Sequence, residues 1–493
     1  MLHLGAGFYF LASLLIFLFS MVQLTLIVSF LRRNGFGSVL RKPKPLQPGT
    51  QEEKLPFVTV QLPLYNERYV VERLIDCVAA FDYPADRFEV QVLDDSNDDT
   101  VELAAKKAAE WQAKGINVLH IRRPERVGYK AGALAYGMKS ARGELIAIFD
   151  ADFLPPKDFL RLTVPHFRQK NLGLVQTRWG HINEGYSSLT ELQAFGLNGH
   201  FVVEQTARNL AGSFINFNGT AGVWRRRCIE NAGGWSADTL TEDLDLSFRA
   251  QMKGWKFKYL PNVVSPAELP VVMSAIKSQQ YRWNKGGAET ARKHLWRVLK
   301  HPRLSALTKL HGIFHLVSSS VFVMLFLSTV LSLPVVAFKE SSAAVELLLQ
   351  FGILFTLGFL VIGYFYWLAA RLTHKKSIRY FVTTFPRFIA LCMGLSLHNS
   401  IAVMEGWLGF KSPFVRTPKF NITEKRDSWM GNVYVGAALS PAIALEGLLG
   451  LYFFGGVIVG LMLGEWLFSI FMLLPAYGFS RVFLASIGEG RHG

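Results

Sequence analysis

Acids paired with small or apolar neighbours recur along this chain at positions where strands should end. IAIFDADFLPP places Asp150 and Asp152 two residues apart after a wholly apolar run. If the backbone leaves the extended state there, both carboxylates can face one site. Paired carboxylate oxygens suit Mg2+ or Mn2+ carrying a diphosphate. Solvated loop acids would share the spacing, but here the acids terminate a strand that should be buried. QLPLYNE, with Tyr65 and Glu67, and QVLDDSND, with Asp94 and Asp95, are two further strand-end clusters. VGYKAGAL sets Lys130 among small residues at a helix start, where a lysine and free backbone amides suit phosphate oxygens. Alone, Lys130 reads equally well as a surface lysine.

FNGTAGVWRR contains the small-residue turn Gly219, Thr220, Ala221 and Gly222, which could let another molecule approach the backbone closely or could simply be tight. QQYRWNKGG combines Gln279, Arg282 and Trp283. A tryptophan face stacks on a sugar ring, and arginine binds diphosphate. The competing reading is an interfacial tryptophan belt with snorkelling cations, because Lys285, Arg292, Lys293, Trp296, Arg297 and Lys300 follow.

TLTEDLDLSFRA brings Glu242, Asp243 and Asp245 together at a helix start. Thr241 reads as an N-cap and acids suit the first turn. Asp245 and Arg249 form a favourable i,i+4 pair, and Leu240, Leu244 and Phe248 repeat as an apolar stripe. Asp245 is therefore the structural acid. Glu242 serves either the site or the helix dipole. Asp243 has no local partner.

The elements that must carry these residues alternate. FVTVQLP (57–63), FEVQVLD (88–94), INVLHI (116–121), ELIAIFD (144–150) and GLVQTRW (173–179) read as strands. Helices should begin near Arg68, Asp98, Tyr129 and Lys157. That rhythm implies an α/β fold with a doubly wound, mainly parallel sheet, whose ligands bind at the carboxyl ends of strands.

The chain has 493 residues, half of them apolar, and a net charge of +16. The uncharged run Gly7 to Phe30 can span roughly 30 Å of hydrocarbon. Arg32, Arg33, Arg41, Lys42 and Lys44 follow it, which places the N-terminus outside and the next segment in the cytoplasm. His315 to Phe338 and Val345 to Ala370 read as two more spans, and Ser440 to Val459 with Leu463 to Gly478 as a final pair containing Glu446 and Glu465. Phe381 to Trp407, with Pro386, Arg387, His398, Asn399 and Glu405, reads as an interfacial or re-entrant helix. Cys77, Cys228 and Cys392 are too scattered for a disulfide framework or a zinc site. The basic residues cluster beside membrane segments, which argues against nucleic-acid binding. A transporter should show repeat symmetry in its spans, and none is visible.

In this order, YNE (65–67), DDS (94–96), DAD (150–152), GTAG (219–222), TED (241–243) and QQYRW (279–283) resemble the motifs of membrane-embedded family 2 glycosyltransferases of the processive, cellulose-synthase-like kind. VQLPLYNE, GYKAGAL, FNGTAGVW and GWKFKYL look most like plant mannan and xyloglucan-backbone synthases. FVRTPK resembles the gating loop of cellulose synthases at Phe414, Thr417 and Lys419, with Arg416 where valine is expected. The resemblance implies a GT-A-type catalytic domain and an α-helical transmembrane region. By it, Asp243 is the base, and Tyr65, Glu67, Asp94, Asp95, Lys130 and Arg282 hold the nucleotide sugar. Asp150 and Asp152 hold Mg2+ or Mn2+. Gly219, Thr220, Ala221, Gly222, Glu242, Gln279 and Trp283 serve the acceptor.

The implied reaction is an inverting, processive extension of a β-linked polysaccharide from UDP-glucose or GDP-mannose, with the polymer passing through the protein's own membrane channel. A lipid acceptor, as in ceramide glucosyltransferases, is the alternative. The implied division is a membrane helix (1–31), a basic, proline-rich linker (32–54), a cytoplasmic catalytic domain (55–304) and two membrane helices (305–380). An interfacial helix with a gating-like loop (381–426) and a C-terminal membrane hairpin (427–493) complete it. Expected partners are the nucleotide sugar, the glycan or lipid acceptor and membrane lipids, with export partners or a homo-oligomer as further possibilities and no nucleic acid. The expected place is a bacterial inner membrane, or a Golgi or plasma membrane, with the catalytic domain on the cytoplasmic side.

Overall fold

The computed structural model describes residues 2–41, 44, 55–339, 352–434 and 441–490. Most of the expected linker lies outside them, apart from a short helix, Gly35–Leu40.

Seven strands among the described residues form one sheet: β1 (Val58–Leu64), β2 (Phe88–Asp94), β3 (Val118–Ile121), β4 (Leu145–Ile148), β5 (Leu172–His181), β6 (Gly222–Arg225) and β7 (Lys256–Ala267), in the order β3-β2-β1-β4-β6-β5-β7. β2 and β4 are buried throughout, and in β1 only Pro63 is partly exposed. β4 (LIAI) accordingly reads as an apolar run, whereas β1 and β2 alternate, with polar residues buried on one face. Each buried Val, Leu or Ile contributes about 1.5–3 kcal/mol relative to exposure. The polar residues inside the sheet pair with one another: Gln61 Nε2 donates to Gln91 Oε1 at 3.0 Å, and Thr59 Oγ1 to Glu89 Oε1 at 2.8 Å.

The α/β sheet is as expected, and all of the expected strands are present. β6 and β7 were not among them. β6 runs antiparallel to both β4 and β5, so the sheet is mixed, while the other ladders are parallel. Gly222 therefore starts a strand rather than closing a turn. GVWR is too short to show a period. β7 carries Pro261 and Pro266, which an edge strand tolerates.

This topology gathers the site at one edge of the sheet. β1, β2 and β4 end there, and β6, reversed, begins there opposite Ile148. β5 and β7 run parallel to β1 and also end there.

Among the described residues, five helices are long and apolar enough to cross a bilayer: His3–Arg32, Ser318–Ala337, Thr356–Thr373, Pro441–Met462 and Trp466–Glu489. The second starts later than expected. His315 belongs to a preceding helix, Ala306–Leu316, where it faces Glu204 at 3.6 Å rather than lipid. The start of the expected Val345 span lies outside the described residues. The last helix does not stop before Arg481 but runs to Gly490, and Glu489 near its end accepts the Ser274 N–H. Ser377–Gly394 and Ser396–Leu408 form a pair bent by 51°, and the break falls at Leu395 rather than at Pro386. The tetrad of membrane-region charges is paired: Lys277 with Glu446 at 2.7 Å, and Lys339 with Glu465.

Candidate active site

The ends of β1 and β4 deliver Tyr65, Glu67, Asp150 and Asp152 to one cavity of about 120 Å³, whose wall also includes Asp95, Lys130, Arg282, Phe414, Arg416, Thr417 and Lys419. Asp95, just past β2, is gripped at both oxygens by Arg123, at 2.7 and 2.6 Å. Asp94 is the exception among the expected nucleotide ligands. It ends β2 buried against His120 Nε2 at 2.8 Å and the Ser96 N–H at 2.8 Å, away from this cavity. Lys130 begins the helix Tyr129–Gly137 and donates to Asp150 Oδ1 at 2.5 Å and to the Gly219 carbonyl at 2.9 Å. Burial opposes its charge, yet Asp150, Glu242 and Asp243 together raise its pKa.

A second cavity, of about 140 Å³, shares Lys130, Asp150, Asp152, Arg282, Phe414 and Lys419 with the first. Its remaining wall includes Gly219, Glu242, Asp243, Gln279 and Trp283. The other residues of the GTAG turn stand behind it. Thr220 and Ala221 are fully buried, and Thr220 Oγ1 accepts from the Asp150 N–H at 2.9 Å, bracing the carboxylate pair. Gly222 opens β6.

Asp243 sits in the first turn of the helix Glu242–Met252. Its Oδ1 accepts from the Leu244 N–H at 2.8 Å. Its Oδ2 abuts Gly219, where a Cβ would lie 3.2 Å away. Burial, reinforced by the Glu242 charge and opposed by Lys130, pushes its pKa up to about 7. Burial raises Glu242 as well, against Lys130. A carboxylate poised near neutrality can accept a proton from a hydroxyl.

Asp245 behaves as the structural acid: it pairs with Arg249 at 2.8 Å, with Lys293 at 2.7 Å and with His294 Nε2 at 2.7 Å. Burial opposes its charge, but those partners hold the carboxyl well below its ordinary range. Thr241 does not cap with its side chain. Its hydroxyl instead lies 3.1 Å from that of Thr290, on the long helix Met273–Leu299. Gly286 lets that helix approach: a Cβ there would meet Thr241 Oγ1 at 2.8 Å.

The segment 414–422 crosses both cavities. Phe414 stacks on Tyr129 at 5.4 Å, Thr417 Oγ1 accepts from Arg282 Nη2 at 2.7 Å, and Lys419 donates to Asp152 Oδ2 at 2.8 Å. The buried Glu268 carboxylate accepts from the N–H groups of Phe420, Asn421 and Ile422 at 2.9–3.2 Å, anchoring the end of the segment. Arg416, the departure from the expected loop pattern, pairs with Glu67 at 3.0 Å. Burial pushes Glu67 up to about 7 despite Arg416 and Lys419. Arg123 and Arg126 were missed in the sequence. Arg126 lies 3.3 Å over the Tyr65 ring. The only signal was a cluster of arginines ahead of Lys130.

Asp150 and Asp152 offer hard oxygen donors fitted to Mg2+ or Mn2+, and the turn around Thr220 fixes the first of them. Among the described residues no His, Cys, Asp or Glu cluster of three or more adds to them. The protein would supply these two carboxylates, with diphosphate oxygens and water completing the shell.

Residues 56–286 match the family described as glycosyltransferase like family 2. Glucomannan 4-beta-mannosyltransferase 1 of Oryza sativa subsp. japonica is 40% identical over 311 residues, covering 62% of this chain and 60% of that protein. Glucomannan 4-beta-mannosyltransferase 2 of Arabidopsis thaliana is 41% identical over 264 residues, covering 52% and 49%. The chain thus spans about half the length of the curated relatives it matches. The solved structure of the mannosyltransferase PcManGT from Pyrobaculum calidifontis, in complex with GDP-Man and Mn2+, is similar with a TM-score of 0.50 and 20% identity over 80% of this chain and 100% of that one. That likeness is one of fold, and it carries the expected GT-A-type architecture. The likeness to the family 2 glycosyltransferases is thus carried by residues 56–286, and it extends to plant glucomannan 4-beta-mannosyltransferases at 40–41% identity.

Proposed function

We propose that this protein transfers a hexose from a nucleotide sugar to a hydroxyl of a growing β-glycan, with inversion, and that it adds residues in succession. GDP-mannose is the donor we favour, since the plant relatives are named as mannosyltransferases and the archaeal structure holds GDP-Man. UDP-glucose is the second candidate. The observation that carries the reading is the half-buried Asp243, raised to about 7, in a cavity that shares the Asp150 and Asp152 wall with its neighbour and includes Trp283.

In this reading the nucleotide sugar lies along Tyr65, Glu67, Asp95 and Arg282. Asp243 takes the proton of the acceptor hydroxyl as that oxygen attacks the anomeric carbon. The bond from that carbon to the diphosphate oxygen breaks, and its electron pair leaves with the diphosphate. Lys130 and Arg282 stabilise the charge that develops there. A bound Mg2+ or Mn2+ at Asp150 and Asp152 would neutralise the leaving diphosphate further. Trp283 would stack on the terminal acceptor sugar. Closure of segment 414–422 would exclude water, and Lys419 would move from Asp152 to the donor phosphates.

Support for successive addition comes from the cavities beyond Trp283. It lines one of about 180 Å³ that reaches Phe322 and Tyr366 of the membrane helices and Phe388 of the bent helix pair. It also lines one of about 360 Å³ bounded by Phe19, Val22 and Leu26 of the N-terminal helix. Those apolar helix residues favour a lipid-linked acceptor as the second reading. Purified protein is given labelled GDP-mannose or UDP-glucose with Mn2+, and the product is sized and digested. A long polymer cut by an endo-β-mannanase or a β-glucanase supports the proposal. A solvent-extractable single-sugar lipid supports the second reading, and no transfer from either donor by folded protein defeats both.

A further inference from the structure

The cavity against Asp243 has a wall that the roles above leave unused. Trp179 and His181, at the end of β5, and Asn218, immediately before Gly219, all line it. Trp179 Nε1 and Asn218 Nδ2 are buried and have no hydrogen-bond partner among the described residues, and the His181 ring nitrogens, also buried, make no well-formed hydrogen bond, although the Asn198 side chain interacts with the ring. Buried polar groups are almost always paired, so each such atom needs an explanation. One could be an accident of packing. Three residues with orphaned atoms, around the cavity of a base, make a surface that awaits a ligand.

The three are also held in place. The Trp179 ring stacks on Phe201 at 4.8 Å and meets the edge of Phe153 at 5.2 Å, with Trp283 at 6.5 Å. Asn218 Oδ1 lies 3.2 Å from His200 Nε2, and its backbone N–H donates to Gln176 Oε1 at 3.3 Å. His181 is fixed by its pairing with Ala267 on β7. Burial, with help from Arg178 and against Glu184 and the Asn198 side chain, lowers its pKa to about 4, so the ring is neutral near pH 7. A neutral imidazole offers one donor and one acceptor, an indole one donor and an amide nitrogen two donors. None is charged, and two aromatic faces adjoin them. That combination suits the hydroxyl groups of a neutral pyranose rather than an ion.

We propose that Trp179, His181 and Asn218 form a hydroxyl-reading wall for the hexopyranose beside Asp243 and determine which hexose this protein accepts. The proposal rests on the glycosyltransferase reading above. The ring could belong to the donor or to the terminal acceptor residue, and the chemistry of recognition is the same for both. A site built to hydrogen-bond a hydroxyl discriminates strongly against a sugar that lacks it or presents it on the other face.

The test uses the full chain with Trp179→Phe, His181→Phe and Asn218→Leu, each checked for an unchanged melting temperature. One arm measures kcat/KM for hydrolysis of GDP-mannose and UDP-glucose without acceptor. The other measures KM for manno- and cello-oligosaccharides at saturating donor. The substitutions should lower kcat/KM by about 10- to 100-fold and shift the mannose-to-glucose preference by about tenfold or more. The shift falls in the first arm if the wall reads the donor, and in the second if it reads the acceptor. Equal losses for every sugar in both arms would reduce the three residues to structural ones and overturn the proposal. If the wild-type protein turns over neither donor, the enzymatic reading fails separately. Calorimetric titration of free manno- and cello-oligosaccharides then decides the wall: weaker binding by the variants supports it, and equal or absent binding by wild type and variants overturns it.

Discussion

Lys419 Nζ lies 2.8 Å from Asp152 Oδ2, so a cation from segment 414–422 already sits on one of the two carboxylates that fit a metal. Arg416 of the same segment holds Glu67, and Lys130 holds Asp150. Protein cations thus neutralise the site's acids, and in the proposed reaction donor and metal would displace them. Lys419→Gln should free Asp152. Mn2+ added without donor should then bind about tenfold more tightly, the size of one charge-assisted contact, while transfer slows. Water-proton relaxation titration of Mn2+ reads the first effect and a donor assay the second. Unchanged Mn2+ affinity would show that Asp152 is not a ligand in the donor-free protein.

With its pKa at about 7, Asp243 should govern the pH dependence of transfer. Below that value the carboxyl is protonated and cannot accept the acceptor's proton. Log kcat/KM should rise with unit slope up to about pH 7 and then level. Asp243→Asn should lower kcat by about 10²–10⁴-fold and remove that limb. Glu67 is raised to a similar value, so the difference between the two profiles carries the test. Stability follows the same sign. Burial penalises the anion, so the contribution of Asp243 to stability is fully present below its ordinary value of 3.8 and is lost as pH rises through about 7. From pH 5.5 to 8, wild type should lose more melting temperature than Asp243→Asn.

Gly219 has φ of +78°, and a Cβ there would come within 3.2 Å of Asp243 Oδ2 and 3.4 Å of Lys130 Nζ. Gly219→Ala should therefore strain the turn by about 1–2 kcal/mol and push the base from its place. A steady-state assay should show kcat falling by about tenfold or more with the donor KM little changed. A kcat equal to wild type would show that the turn does not set the position of Asp243.

Much of this arrangement was legible in the sequence. β4 is buried throughout and wholly apolar, so the acid that follows it announces itself, as Asp150 does after LIAI. β6 was hidden because GVWR is four residues long and follows a turn. Contacts between remote residues leave no periodic trace. Arg416 reaches Glu67, and Thr241 bonds Thr290 rather than its own helix, only because the chain folds back on itself. His181 looks like any strand-end residue until its ring is seen buried without a well-formed hydrogen bond.

The C-terminal hairpin should matter to turnover as well as to anchoring. The Glu489 carboxylate accepts the backbone N–H of Met273 and, at 2.9 Å, that of Ser274, in the first turn of the helix that carries Gln279, Arg282 and Trp283. The N-cap residue, Val272, supplies no side-chain acceptor. One turn on, Lys277 Nζ lies 2.7 Å from Glu446 and 3.0 Å from Ser486 Oγ, both on the hairpin. Glu489→Ala leaves two backbone donors bare and should cost about 1–2 kcal/mol in stability. It should also lower kcat by several fold without a matching rise in donor KM, because the helix loses the contact that fixes its start. Glu489→Gln, whose amide oxygen can still accept, should recover part of both losses. Melting curves and steady-state kinetics on the three proteins test this: a loss of stability with kcat unchanged would make the hairpin an anchor and nothing more.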